Sequence, residues 1–412
     1  MANTLLTINM ITREAVRLWK NTNQFIQHID MQYDDSFAKT GAKIGTSLRI
    51  RLPNDYTVRT GPAAQVQDTA EVSTTLVLAT QKGVDVSFST TDRTMSLDDY
   101  SRRVLAPMVN NLAGAVAADV MSGVDSGSAA NTGGICNYTA NVDGANNILS
   151  PTSGTWLTAG AYLDNNSAPR ERRIIIMDPV TQARTVQSLS GLFNPQEKIS
   201  EQYRSGMMAK NSLGFDWFSD QTVLKHVTGT FSAGTVAGAS QTGLTITTNA
   251  ITGTLLVGDI ITFAGSNQVN RITKQSTGIL RQFVVTANAA NGATSISIYP
   301  ALIPSSGGNQ VQYQTVDNSP ANTATISMVT NASVTYRKNF AFAPEAVTMA
   351  TADLEIPRGV HEAHREAYDG VSMRMITAYN IATDQLITRL DVLYGFLWVR
   401  PEWACVVPDF TP

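Results

Sequence analysis

The stretch HEAHREAY, residues 361–368, is where this sequence comes nearest to a metal motif. Zinc hydrolases use H-E-x-x-H, two histidines one helical turn apart with a general-base glutamate between them. Here the order is H-E-A-H, one residue short, and His361 and His364 share a face at i, i+3 only on a helix. His28 and His226 are the only other histidines, so no third ligand is evident. Pro357-Arg358-Gly359 just before marks a surface turn, which is the plainer reading. A zinc hydrolase using His361 and His364 stands as one alternative. Cys136, in TGGIC, would need a neighbouring histidine to act as a nucleophile. Asp98 and Asp99 stand where a helix N-terminus attracts carboxylates, which is simpler than an acid/base pair. Arg49 and Arg51, on one side of an alternating run, could meet phosphates or a neighbour's carboxylates, or simply face water. No Gly-rich loop ending in Gly-Lys-Ser/Thr, no G-x-S-x-G and no G-x-G-x-x-G is present. The sequence assigns no catalytic, cofactor-binding or metal residue and points away from an enzyme.

Of the 412 residues, 43% are hydrophobic and only 15% charged. Soluble proteins average about 25% charged residues. So sparse a surface charge is expected where neighbouring subunits cover much of the molecule. The net charge of −3, without a basic block, argues against a dedicated nucleic-acid binder but not against a protein that encloses nucleic acid. Cys136 and Cys405 lie far apart and form no ligand spacing, so a reducing cytoplasm is expected rather than a disulfide framework. No secretory pattern opens the chain, and no run approaches the roughly 20 apolar residues of a membrane span. No membrane partner is expected.

The elements that must carry these residues read as follows. Residues 12–29 form one or two short helices with Ile11, Ala15, Leu18 and Trp19 on one face and Thr12 as cap; the face is narrow and calls for something to dock on. Residues 41–90 read as a long two-stranded excursion, with Ile44, Leu48, Ile50 and Leu52 facing one way and a turn at Pro53-Asn54-Asp55. Residues 96–124 form the strongest helix, capped at Ser96, with a kink or break near 103–106 because of Pro107. Residues 126–155 read as loop, and RRIIIMDP (172–179) as a buried strand whose proline opens a helix to about Leu189. From 226 to 335 Thr, Ser, Gly, Asn and Val dominate. Strand-like runs recur at 244–248, 255–263, 279–287, 295–299 and 311–316, the spacing of a small β-barrel or sandwich inserted into a different texture. Strands at 371–379 and 385–393 follow. The apolar run TRLDVLYGFLWVRPEWACVV (388–407) reads as a last strand, from about 395 to 407, buried on both faces beneath the long helix.

The order of parts resembles the major capsid (coat) proteins of tailed bacteriophages, with the Hong-Kong-type capsid fold, and among them the P-twenty-two-like coat proteins with an inserted β-barrel. The stretches that carry the resemblance are MITREAVRLW, QYDDSFAKTGAKIGTSLRIRLPNDYTVRTG, TTDRTMSLDDYSRRVLAP, GTLLVGDIITFAG with KQSTGILRQFVVTA, and LDVLYGFLWVRPEWA. Each is a soft pattern; together they run nearly from end to end. The resemblance implies an α+β chain with an N-terminal arm (1–40), an extended loop (41–90), a peripheral domain with its spine helix (91–125 and 366–412), an axial domain (126–225 and 336–365) and an inserted all-β barrel domain (226–335). It implies a non-enzymatic function: pentameric and hexameric capsomers tile an icosahedral shell around double-stranded DNA, without sequence-specific binding and without a cofactor. A scaffolding protein and a portal protein are the implied partners. Assembly would take place in the host bacterial cytoplasm, and the product would be the virion capsid. Arg49, Arg51 and Arg59 in the extended loop are the candidate intersubunit contacts. A nanocompartment shell protein of the same fold is the other alternative, weakened by the inserted β segment that such proteins normally lack.

Overall fold

Pro401 divides the apolar C-terminal run. In the computed structural model the run supplies the end of one strand, Gln385–Trp398, a single 3-10 turn at Pro401–Trp403, and a second strand, Ala404–Phe410. The single strand expected over 395–407 is therefore two, because proline has no N–H to give a ladder. The structure describes residues 8–22, 24–31, 47–59, 61–64, 66, 73–89, 104–122, 134–188, 212–306, 311–357, 359–368 and 370–411. The chain forms two units. One comprises residues 1–49, 75–121 and 347–397, and the other residues 50–74, 122–346 and 398–412.

The first unit is built on a sheet ordered Val347–Ala352, Gln385–Trp398, Val371–Asn380, Glu362–Tyr368. Thr80–Ser89 also pairs antiparallel with Gln385–Trp398, from Gln385 opposite Ser89 to Tyr394 opposite Thr80. Residues 80–89, read as part of the excursion, thus satisfy their backbone groups on a strand of the same chain. Gly395 makes room there, since a side chain at this position would collide with the Val77 carbonyl. Helix Ile8–Thr22 buries Ala15, Val16 and Trp19 and packs against strand Glu362–Tyr368 and helix Ala106–Met121. The arm thus has a docking face within its own unit. Thr12, expected to cap this helix, lies inside it, fully buried, with its hydroxyl donating to Met375 Sδ at 3.9 Å.

Helix Ala106–Met121 buries Met108, Val109, Leu112, Ala113, Val116, Ala117, Val120 and Met121. Val104 and Leu105 wind more loosely just before it, and Pro107 falls in its first turn, where a missing N–H is tolerated. The expected cap Ser96, with Asp98 and Asp99, lies outside the described residues. No helix among the described residues is long and apolar enough to cross a membrane.

The second unit has two larger sheets. One runs Asn137–Tyr138, Ala404–Phe410, Thr335–Phe342, Ile174–Met177, Asp216–Ser219, with Lys225–Val227 also paired to Thr335–Phe342. Ile174–Met177 is buried at every position, as its unbroken apolar run requires. Helix Pro179–Ser188 follows it and is locked to the terminal strand: the buried Asp409 carboxylate accepts from Thr181 Oγ1 at 2.9 Å and from Arg184 Nη1 at 3.0 Å. Helix Ser153–Asn165, in and just beyond the region read as loop, is capped by Thr152 and packs Trp156, Ala159 and Leu163 onto Ile175, Phe215, Ala341 and Val407. The terminal strand Ala404–Phe410 thus closes this unit, not the one containing the long helix.

The inserted segment forms an antiparallel sheet in the order Gly243–Thr247, Ser295–Leu302, Ser276–Val285, Ile260–Val269, Ile326–Met328. Its core gathers Val236, Ile246, Leu255, Phe263, Phe283, Ile298 and Val316 among others. The strand expected at 311–316 is instead a 3-10 turn, Val311–Tyr313, followed by a single bridge from Val316 to Gln268. Asp259 ties the segment at its root. Its buried carboxylate accepts from the Gly229 and Leu256 N–H groups at 3.1 and 2.7 Å and lies 2.9 Å from His226 Nε2.

Candidate assembly surfaces

Strands Ser47–Arg51 and Ser73–Val77 flank the excursion and pair with each other. Alternation along the first strand sets its two faces: Ile50 is buried, and Arg49 and Arg51 are exposed on the opposite side. Beyond it Asp55 pairs with Arg271 at 3.0 Å. The segment then turns its apolar side chains outward: Tyr56 is 60% exposed, Val58 96% and Val66 93%. Arg59, between them, donates from Nη1 to the Gly61 carbonyl, which curls the tip without covering Val58. Arg49 and Arg51 therefore share a face and Arg59 stands apart on the tip. The apolar neighbours of Arg59 were not singled out from the sequence, although the turn at Pro53-Asn54-Asp55 marks where they start.

Two further apolar tips are exposed. Ile272 caps the turn between Ile260–Val269 and Ser276–Val285, a turn held by the Asn270 carboxamide oxygen accepting from the N–H groups of Ile272 and Thr273 at 3.0 and 3.1 Å. Ile381 sits at the tip between Val371–Asn380 and Gln385–Trp398. Isolated exposed apolar residues are ordinary on a monomer; a reaching segment with several of them marks a contact surface.

The residues that could have carried chemistry are placed apart. Glu362–Tyr368 is a strand that starts after His361, so the two histidines are not on one face of a helix. His364 Nε2 instead lies 3.4 Å from Glu366 Oε2, its neighbour at i+2. This corrects the helical geometry on which the zinc alternative rests. No group of three His, Cys, Asp or Glu side chains able to hold a metal exists among the described residues. Cys136 is fully buried, and burial pushes its thiol up to about 11, far from the thiolate a nucleophile needs. Cys405 is buried and free as well.

The second unit has a cavity of about 480 Å³ lined by a concentration of charge with no counterpart in any local motif. Arg271, Lys274, Arg281 and Arg400 line it with Asp55 and Glu402, drawn from the excursion, the inserted segment and the turn before the terminal strand.

Among solved structures, the chain is similar to the capsid of Ralstonia phage GP4, at 8% identity over 95% of this chain and 92% of that one, with a TM-score of 0.47. It is similar to a structure from Mycobacterium phage Che8, at 12% identity over 93% and 90%, TM-score 0.46. It is also similar to the CUS-3 coat protein I-domain, at 28% identity over 23% of this chain and 94% of that domain, TM-score 0.20. No curated protein matches. The model of one family, described as P22 coat protein - gene protein 5, matches residues 156–407, more than half of the chain. A chain with sparse charge, an outward-facing apolar excursion and this family match belongs to the P22 coat protein family and is a shell-forming phage coat protein.

Proposed function

We propose that this coat protein tiles an icosahedral shell of pentameric and hexameric capsomers around the double-stranded DNA of a tailed phage, in the Hong-Kong-type capsid fold, and catalyses no reaction. The observation that carries this reading is the excursion: Val58 and Val66 are almost wholly exposed on a segment pinned at Asp55 and flanked by arginines. Water gains nothing from such a segment; a neighbouring copy would bury it. About 25 cal/mol per Å² of apolar surface makes each contact modest, and closed symmetry multiplies it. Arg49, Arg51 and Arg59 would pair with carboxylates of that neighbour. In this reading the extended loop is shorter than 41–90, since Thr80–Ser89 is engaged with its own chain. The inserted β segment, roughly 226–335, would steady the subunit through its root at Asp259.

A scaffolding protein and a portal protein are the proposed partners, and assembly would proceed in the host bacterial cytoplasm. A modest negative net charge suits a shell that releases rather than grips its DNA. The test is electron microscopy of the full chain expressed with and without a scaffolding partner. Closed round shells with the partner, and aberrant shells or capsomer-sized rings without it, are the expected result. A chain that stays a monodisperse monomer in both would refute the reading.

A further inference from the structure

The cavity in the second unit holds more positive than negative charge, and its own residues do not neutralise it. Of its six charged side chains, Arg271, Lys274, Arg281 and Arg400 are cationic, and only Asp55 and Glu402 are acidic. Asp55 is taken up by Arg271 at 3.0 Å. Glu402 accepts the Tyr299 hydroxyl at 3.0 Å. Lys274, Arg281 and Arg400 make no ion pair among the described residues.

Arg281 is the decisive group. Its side chain lies in a residue only 4% exposed, yet every partner it has is neutral. Nη1 reaches Asn166 Oδ1 at 3.4 Å and Nη2 reaches Cys136 Sγ at 3.6 Å. Nε has no hydrogen-bond partner among the described residues. Cys136 supplies no counter-charge, since burial raises its pKa and keeps it a thiol. The Asn166 oxygen is shared, because Gln268 Nε2 donates to it at 3.4 Å too. A buried guanidinium held by long contacts to neutral atoms is costly unless an anion completes it. Lys274 and Arg400 face the same cavity, and burial holds both below their ordinary pKa, with Arg271 adding to the lowering and Asp55, joined at Arg400 by Glu402, offsetting part of it. The volume lies in the range of small-molecule sites. Tyr313 in its wall offers a ring on which a base could stack.

We propose that this cavity binds a phosphate-class oxyanion, either inorganic phosphate or the phosphate group of a nucleotide, held by Arg281, Lys274 and Arg400. The bound anion would join three stretches that are remote in sequence: the foot of the excursion at Leu52–Asp55, the inserted strands, and the turn leading into the terminal strand. It would act as a rivet within the subunit. The inference stands apart from the shell reading, since it concerns one unit of one chain.

The test is titration calorimetry on the purified full chain in chloride buffer, adding sodium phosphate in one arm and adenosine monophosphate in the other, at matched ionic strength. Saturable binding at one site per chain, with a rise in the thermal midpoint, is the expected result. Equal affinity in the two arms identifies inorganic phosphate as the ligand; tighter binding of the monophosphate identifies the nucleotide. Arg281→Gln should abolish the heat. Lys274→Gln, at a half-exposed position, keeps the test open if Arg281→Gln does not fold, and should weaken binding roughly tenfold, as one lost charge-assisted hydrogen bond does. The proposal is overturned if the folded wild-type chain takes up neither ion saturably, or if Lys274→Gln leaves the affinity unchanged.

Discussion

Arg374 Nη2 donates to Asp391 Oδ2 at 2.7 Å, from one strand to the next, and the Asp391 side chain has no exposure to solvent. Arg389 Nε approaches the same carboxylate at 2.7 Å, and Gly83 stands directly opposite Asp391 on the Thr80–Ser89 strand. Two cations and a missing side chain thus make the pocket for one buried carboxylate. Removing the acid leaves the largely covered Arg374 without its counter-ion. Asp391→Ala should cost about 3–5 kcal/mol, as broken buried pairs do. Urea unfolding of the full-chain subunit measures this; a cost under 1 kcal/mol would mean that Arg374 finds another partner.

Gly83→Val tests the same relationship from the other side. A Cβ there collides with Asp391 Oδ1 and the Leu390 carbonyl. Overpacking of this kind costs about 1–3 kcal/mol. The double variant Gly83→Val, Asp391→Ala should be less destabilised than the sum of the two single changes, since part of the clash vanishes with the carboxylate.

Lys338 supplies a dependence on pH. It is buried, its Nζ donates to the Ser122 carbonyl at 2.7 Å, and burial lowers its pKa from 10.5 to about 8. Below pH 8 the lysine is charged in the folded and the unfolded chain alike. Between about 8 and 10.5 the unfolded chain binds the proton and the folded chain does not. Stability contributed by this group therefore rises with pH across that window. Lys338→Met should remove the rise, read as the unfolding midpoint at pH 8 and pH 10 for the two proteins.

The helix Ser153–Asn165 rests on its cap. Thr152 Oγ1 accepts from the Thr155 N–H at 3.4 Å, and Thr155 Oγ1 accepts from the Thr152 N–H at 3.3 Å. Thr152→Ala should cost about 1 kcal/mol. The helix packs into the core that joins Ile175 to Val407, so the loss should appear as global destabilisation and not as local fraying.

How much of this was legible follows from where each signal lies. The strand Ile174–Met177 could be read directly, because four apolar residues between an arginine and an Asp-Pro have one comfortable home, buried on both faces. Four of the five strand runs in the inserted segment could be read too, although the second begins at Ile260, later than its apolar run suggests, since Leu255 makes only an isolated bridge to Ala289. The helix Ser153–Asn165 escaped because its buried face, Trp156, Ala159 and Leu163, is thin and set among Gly and Thr, which read as loop. Thr80–Ser89 reads as part of the excursion because its pairing partner lies some three hundred residues later, and register over such a separation leaves no local trace. The charged cavity was invisible for the same reason: Asp55, Arg281 and Arg400 become neighbours only through the fold. The histidine motif was legible as letters and misleading as geometry, because the segment is a strand and not a helix.

The most direct test of the central claim, that the excursion exists to be covered by another copy, is sedimentation of Val58→Asp beside the wild-type chain, each expressed with a scaffolding partner. Val58 is 96% exposed in the single chain, so the change should leave the unfolding midpoint within about 0.5 kcal/mol of wild type. Shells from the wild-type chain and only free subunits or capsomers from Val58→Asp is the result expected. Shells of the same yield and size from both proteins would contradict the claim.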